Sequence, residues 1–198
     1  MKLYYSPGAC SLSPHIVARE AGLDVSLVKV DLKSHTVEGG GDYYAVNPKG
    51  YVPALMLDDG AVLTEGPAIV QYLADQKPGA DLIPPAGSFA RYKLAEWLTF
   101  INGELHKNFS PLFRGVPEEQ KTAARQTIQK RFALAAELMG ANPFLTGAQF
   151  TVADAYIYVM LRWAGKMGVE APRKLLDLKA RIAARPAVKT ALQEEGLQ

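Results

Sequence analysis

The spacing of apolar and polar residues predicts a strand, a turn and a helix at the start of the chain. Residues 2–5 form a short run rich in Tyr and Leu, and a helical apolar pattern begins after Cys10. Ser13 suits an N-cap and Pro14 the first helical position, because the N–H that proline lacks would have no intrahelical partner there. A Val-rich run over residues 25–32 then predicts a second strand, parallel to the first in a βαβ unit.

A β-hairpin is predicted after a long, glycine-rich connection over residues 33–50. The Asp-Gly dipeptide at 59–60 stands between apolar runs at 51–57 and 61–63, a strong signal for two antiparallel strands. Pro53 cannot donate to a ladder, so it either starts the first of these strands or forms a cis bond in a tight turn.

A further helix and a linker complete the N-terminal part. Thr64 is predicted to cap the helix, with Glu65 in its first turn facing the positive end of the helix dipole. Residues 79–87 are rich in proline and glycine and have no periodic pattern. We therefore predict a domain over residues 1–78, this linker, and a second domain over residues 88–198.

The second domain is predicted to be entirely helical. An apolar stripe predicts one helix over residues 89–113, and Pro117 starts another long helix that ends near Gly140. Thr151 and Asp154 have the spacing of a capping box, and they lead into the most apolar helix of the chain, which is followed by two shorter helices at 172–184 and 187–194.

Composition and charge restrict the function classes. The 198 residues carry a net charge of +2 without a polybasic run, which gives no reason to expect nucleic acid or an anionic membrane as a partner. The longest apolar run, residues 155–161, is too short to span a bilayer, so cytoplasmic residence is the default. No metal, nucleotide or flavin motif occurs, and we expect neither a metal site nor a bound cofactor.

Cys10 is the only cysteine, and its position just before a predicted helix favours negative charge on sulfur. A depression of the thiol pKa by roughly two units would make it mostly thiolate at neutral pH. The alternative is a small buried apolar side chain. The segment from Cys10 to Ser13 has the layout of a C-x-x-C redox motif with a hydroxyl in place of the second thiol, so any disulfide must form with an external thiol.

Four separated motifs, which together cover essentially the whole chain, resemble those of cytosolic glutathione transferases. They are the first thirteen residues, Val52-Pro53-Ala54-Leu55, Thr64-Glu65-Gly66 and the capping box at residues 150–155. Cys10 together with His106 resembles the bacterial beta class. The resemblance implies an α/β, thioredoxin-like N-terminal domain, an all-helical C-terminal domain, a homodimer, and detoxification chemistry with glutathione as the thiol substrate.

The resemblance also implies residue roles at the glutathione site. Pro53 would be cis and would turn the backbone of Val52 toward the cysteinyl part of glutathione, as in strand addition. Glu65 would hold the γ-glutamyl end, and the helix N-terminus beside it would receive that end's carboxylate. The family often has Ser where this chain has Gly66, so one hydroxyl donor is missing.

Further roles follow from the same resemblance. His106 would approach Cys10 and stabilise a thiolate or move a proton. Lys107 would balance a substrate carboxylate, and His35 takes the place where the class tends to use a lysine toward the glycyl carboxylate. Ser11 lies near the place where other classes keep a catalytic hydroxyl. For the electrophile, the chain offers the aromatic residues Phe109, Phe113 and Trp163.

Three functions are open at this point. The first is a glutathione transferase that joins the glutathione sulfur to a small, hydrophobic electrophile. The second is a glutathione-dependent thiol-disulfide oxidoreductase of glutaredoxin type, which would form a mixed disulfide on Cys10. The third is a binding protein that has kept the fold and lost turnover, with Gly66 and His35 as its support.

Overall fold

The computed structural model describes residues 1–197 and divides the chain into two compact units. The first unit contains Met1–Leu82 together with the C-terminal segment that begins at Arg185. The second unit contains Ile83–Ala184. Each unit has its own apolar core, which includes Leu3, Ile16 and Leu55 in the first and Ile128 and Phe132 in the second.

A five-stranded mixed sheet forms the centre of the first unit, in the order β3-β2-β1-β4-β5. Strands β1 and β2 are parallel, as predicted, and every other pairing is antiparallel. The elements are β1 Lys2–Tyr5, α1 Leu12–Glu20, β2 Ser26–Asp31, β3 Thr36–Val37, a short 3-10 turn Tyr43–Ala45, β4 Ala54–Met56, β5 Val62–Thr64, α2 Gly66–Asp75 and a second 3-10 turn Pro78–Ala80.

The predicted hairpin is confirmed. Leu55 on β4 pairs with Leu63 on β5 and with Leu3 on β1, so apolar residues of three strands stand in register. The Val52–Pro53 peptide bond is cis, and Pro53 lies immediately before β4. Because Pro53 precedes the ladder, the N–H that it lacks removes no hydrogen bond from the sheet.

Both helix starts predicted in the first unit are wrong by one or two residues. Ser13 lies inside α1, and the residue at the N-cap is Ser11. Thr64 belongs to β5, and Glu65 takes the N-cap of α2 with a φ of 71°. In each case a proline in the first turn fits an N-terminus, but the tertiary structure sets the first residue.

The division into compact units differs from the predicted domain boundaries at the C-terminal end. The last helix, α8, spans Pro186–Glu194 and groups with the first unit instead of with the other helices. Polar contacts explain this grouping, because Arg185 donates two hydrogen bonds to the Glu20 carboxylate of α1 and Arg19 donates to Glu194. Sequence periodicity shows that a segment is helical, but it does not show which neighbour covers its apolar face.

The second unit is helical, as predicted. Its elements are α3 Phe89–Phe100, a π-helical turn Ile101–Leu105, a 3-10 turn His106–Phe109, α4 Ser110–Phe113, α5 Glu118–Met139, α6 Val152–Met167 and α7 Arg173–Ala183. Pro117 and Gly140 flank α5, as the sequence indicates.

The prediction of one regular helix over residues 89–113 is wrong. The helical path continues, but α3 ends at Phe100 and is followed by the π-helical and 3-10 turns. A π-helical turn inserts one extra residue into the hydrogen-bond ladder and rotates the side chains that follow it. His106 is the first residue after that turn.

The capping box at the start of α6 is confirmed and is buried. The Asp154 carboxylate accepts hydrogen bonds from the N–H groups of Leu145 and Thr151 and from the Thr151 hydroxyl, at 2.9, 2.9 and 3.0 Å. Its side chain is fully buried, and burial raises the pKa of Asp154 to about 6 against the opposing effect of these donors. One carboxylate therefore fixes both the helix start and the preceding loop.

Two classes of feature have no representative in the part of the chain that the structure describes. Within residues 1–197, no helix is long and apolar enough to cross a membrane. Among the same residues, no group of His, Cys, Asp and Glu side chains has a geometry that could hold a metal ion.

We predict that Asp154→Ala lowers the free energy of unfolding by about 2–4 kcal/mol, because it leaves two buried N–H groups without an acceptor. Urea unfolding measures this change. Asp177→Ala is the matched control, since the ion pair that Asp177 forms with Arg173 on α7 is exposed and should contribute at most about 0.5 kcal/mol. Equal effects of the two substitutions would contradict the central role of the buried box.

Candidate active site

The thiol of Cys10 lies in the loop between β1 and α1 and donates a hydrogen bond to the Val52 carbonyl, with Sγ 3.2 Å from the oxygen. Although the residue keeps some exposed surface, its sulfur is surrounded by protein. This burial raises the pKa of the Cys10 thiol to about 12, and the charge of Glu65 adds to the effect. The backbone N–H groups of Cys10 and Ser11 lower the pKa of this thiol, but by less than burial raises it.

The surroundings of the Cys10 sulfur therefore do not favour the thiolate that the sequence predicts. Desolvation disfavours the charged sulfur more strongly than the N–H groups at the start of α1 favour it. At neutral pH Cys10 is a neutral thiol and acts as a hydrogen-bond donor. The same contact places the sulfur directly beside the residue that precedes cis-Pro53.

The hydroxyl of Ser11 is used within the loop. It accepts a hydrogen bond from the Ser6 N–H and donates one to the Ser6 carbonyl, both at 3.2 Å, and the side chain is fully buried. Ser11 thus closes the turn that presents Cys10. A direct contact between this hydroxyl and a ligand has no support in the geometry.

Glu65 and Gly66 stand together at the N-terminus of α2. The Glu65 carboxylate is exposed and forms an ion pair with Lys49 at 2.6 Å, and the Lys49 ammonium also donates to the Thr64 hydroxyl at 3.0 Å. Gly66 has open space where a Cβ would lie. This corner therefore presents both charges and an uncovered backbone, which suits a ligand that carries an amine and a carboxylate.

His35 and Glu65 share an unusual backbone conformation. Both have positive φ angles, 53° and 71°, which non-glycine residues rarely adopt. The His35 ring packs against the tilted ring of Tyr44 with ring centroids 4.5 Å apart, and its Nδ1 is buried without a hydrogen-bond partner among the described residues. Strained residues of this kind cluster at ligand sites.

In the second unit, His106 belongs to a polar network that follows the π-helical turn. Its Nδ1 lies 2.6 Å from the Tyr156 hydroxyl, which donates to Asn102 Oδ1 at 2.9 Å. Because the single hydroxyl proton goes to Asn102, His106 Nδ1 carries a proton and donates to Tyr156. In the neutral ring this tautomer has its lone pair on Nε2.

The aromatic residues predicted for an electrophile pocket form one cluster, but only part of it reaches the surface. Trp163 contacts the rings of His106, Phe109 and Phe113 with centroids 5.1, 5.5 and 4.9 Å apart. Phe109 is completely buried and belongs to the core, whereas Phe113 is half exposed. Lys107 is exposed next to His106.

Three residues of these groups were missed by the sequence analysis. Lys49 follows a turn and looks like an ordinary surface lysine, while Tyr156 lies in an apolar run that indicates core. Asn102 lies four residues before His106, a spacing that places both on one face of a helix. The sequence does not show that their common partner is Tyr156 on another helix.

Comparison with known proteins identifies relatives over the whole chain. The N-terminal domain family of glutathione S-transferases matches residues 8–76, and the C-terminal domain family matches residues 103–195. The chain is 50% identical to glutathione S-transferase GstA of Escherichia coli O157:H7 over the full length of both proteins.

Solved structures give the same result. A sphingomonad glutathione S-transferase complexed with glutathione is 46% identical, with a TM-score of 0.96 and complete coverage of both chains. A bacterial beta class glutathione S-transferase of Sphingomonas chungbukensis has the same identity, TM-score and coverage.

We predict that iodoacetamide alkylates Cys10 at pH 7 on the order of 1,000-fold more slowly than a free thiol, because a pKa of about 12 leaves almost no thiolate. The rate should keep rising with pH through pH 10. Mass spectrometry of the intact protein measures it directly, since Cys10 is the only cysteine. A plateau below pH 8 would show that the thiol is ionised and would contradict the prediction.

Proposed function

The chain belongs to the glutathione S-transferase family and is a glutathione transferase of the beta class; on this premise we propose that it conjugates glutathione to small hydrophobic electrophiles. The observation that carries the proposal is the contact of the Cys10 thiol with Val52 beside cis-Pro53, with the charge of Glu65 acting on the same sulfur. We infer that a thiol-containing peptide binds beside these groups. A relative of the same fold that was solved in complex with glutathione supports glutathione as the ligand.

In the proposed complex, the backbone of Val52 pairs with the cysteinyl part of glutathione in the manner of an added strand. The Gly66 N–H at the start of α2 receives the γ-glutamyl carboxylate. Glu65 holds the γ-glutamyl amine, and its ion pair with Lys49 keeps the carboxylate in place before the ligand arrives. His35 and Lys107 are proposed for the remaining substrate carboxylate.

The chemical step is a substitution at an electrophilic carbon. The sulfur of glutathione forms a bond to that carbon, the leaving group departs with the electron pair of the broken bond, and the thiol proton passes to a base. We propose His106 as that base, because its hydrogen bond to Tyr156 fixes the tautomer that has a lone pair on Nε2. In the complex, the one proton of the neutral Cys10 thiol turns from the Val52 carbonyl to the attacking sulfur, and the carbonyl is then open to the N–H of the cysteinyl residue of glutathione.

The pKa of Cys10 favours conjugation over the glutaredoxin alternative. Disulfide exchange needs a thiolate as the attacking group, and a thiol with a pKa of about 12 supplies too little of it at neutral pH. Relatives named as transferases across the whole chain also argue against a binding protein without turnover.

We further propose that the protein acts in the cytoplasm as a homodimer. The single cysteine suits a reducing compartment. On α3, the rings of Phe89 and Tyr92 are largely exposed, and such apolar surface is typical of a protein contact.

We predict that Cys10→Ser retains conjugation of glutathione to an aryl halide, with kcat/KM within about fivefold of wild type, because a serine hydroxyl can also donate. In the wild-type protein, oxidised glutathione should leave no adduct on Cys10 at neutral pH, because almost no thiolate is present. Absorbance of the conjugate and intact mass measure the two results. A loss of conjugation above about 100-fold would show that the reaction needs the Cys10 sulfur itself.

We predict that Gly66→Ser lowers the KM for glutathione roughly three- to tenfold, because the added hydroxyl can donate to the γ-glutamyl carboxylate. The open space at Gly66 admits the side chain. Gly66→Ala is the matched control, since it adds the Cβ without the donor and should leave the KM unchanged. Equal KM values for the serine and alanine variants would place the γ-glutamyl carboxylate elsewhere.

A further inference from the structure

A buried cluster of charged side chains joins the end of α8 to the loop that carries Cys10. The imidazole of His15 on α1 is completely buried between two carboxylates, with Nδ1 2.9 Å from Glu195 Oε1 and Nε2 2.7 Å from Glu194 Oε2. The other oxygen of Glu195, Oε2, accepts a hydrogen bond from the N–H of Gly8 at 2.8 Å. The Glu195 side chain is also fully buried.

The charged groups of this cluster come from α1 and from the end of α8. A carboxylate oxygen accepts, so each ring nitrogen of His15 faces an acceptor. Arg19 on α1 donates to Glu194 at 2.7 Å. Burial would raise the pKa of Glu194, but the donors Arg19 and His15 outweigh it and lower the pKa. Burial, and next to it the Glu195 charge, raises the pKa of Tyr5 on β1.

Packing of α8 against α1 does not by itself require such a cluster. Ionised groups are costly to bury, and apolar side chains can join two helices equally well. What an apolar side chain cannot do is accept a hydrogen bond from the Gly8 N–H. Gly8 stands two residues before Cys10 with a φ of 72°, in the turn that Ser11 closes from the other side.

We propose that Glu195 is a positioning residue for the glutathione site: held by His15, it fixes Gly8 and thereby the turn that presents Cys10. The inference rests on the proposed function, because it assumes that this turn contacts glutathione. A turn that is already ordered loses less conformational entropy when the ligand binds. The C-terminal segment is thus part of the glutathione site, although it does not touch the ligand.

The test compares Glu195→Met with Glu20→Met in the full-length protein. Methionine keeps approximately the size of the side chain but has no oxygen, so the Gly8 N–H loses its acceptor. We expect the KM for glutathione to rise about tenfold with kcat within about threefold, since the contact acts equally on the bound substrate and the transition state. Glu20→Met breaks an ion pair of the same two helices, with Arg185, and should leave both constants unchanged.

Hydrogen exchange at the Gly8 amide provides a second measurement that does not depend on activity. Glu195→Met should accelerate it at least about tenfold, whereas Glu20→Met should not. If Glu195→Met fails to fold, the double variant His15→Leu with Glu195→Met removes the buried polar pair, leaves the Gly8 N–H without its acceptor and answers the same question. A KM within about twofold of wild type, in whichever variant folds, would overturn the proposal.

The two proposals can fail separately. Wild-type protein that neither binds nor turns over glutathione would refute the proposed function and, with it, the part of the inference that concerns the ligand. Slow exchange at Gly8 in Glu195→Met would refute the positioning of the turn even if wild type is fully active.

Discussion

The environment of the Cys10 sulfur is the constraint on which the chemistry of this protein depends. Two effects compete at that sulfur: the N–H groups at the start of α1 favour negative charge, and the surrounding protein removes the water that would solvate it. Desolvation is the larger effect, and it raises the pKa of the Cys10 thiol to about 12. The sulfur therefore acts as a donor to Val52, and the attacking thiol has to come from the substrate.

The sequence predicts best those features whose causes are local. The Asp-Gly turn defines the hairpin, and Thr151 and Asp154 define a helix start, because each pattern contains both partners of the contact within a few residues. The cap at Ser13 was wrong because Ser11 and the turn around it decide where α1 begins. Either serine could cap a helix, and only the tertiary structure shows that Ser11 is the N-cap and Ser13 is not.

Features that depend on distant partners could not be predicted. The sequence around His15 shows only an apolar helix, because the partners of His15, Glu194 and Glu195, lie almost at the other end of the chain. The thiol pKa belongs to the same class, because burial is a sum over neighbours from several elements. The π-helical turn before His106 likewise has no signal in the apolar stripe, which continues across it. These are the features that orient the groups of the site.

The left-handed backbone at Glu65 lowers the stability of the fold, whereas we propose that the carboxylate of the same residue binds the ligand. Glycine adopts a φ of 71° without strain, whereas a residue with a Cβ adopts it at a cost of about 1 kcal/mol or more. The chain nevertheless has a glutamate there and a glycine at the next position, where no positive φ requires one. Selection for thermal stability alone would drive position 65 toward glycine and erase the carboxylate, so a stabilised descendant of this protein would lose the group that we propose for the peptide amine.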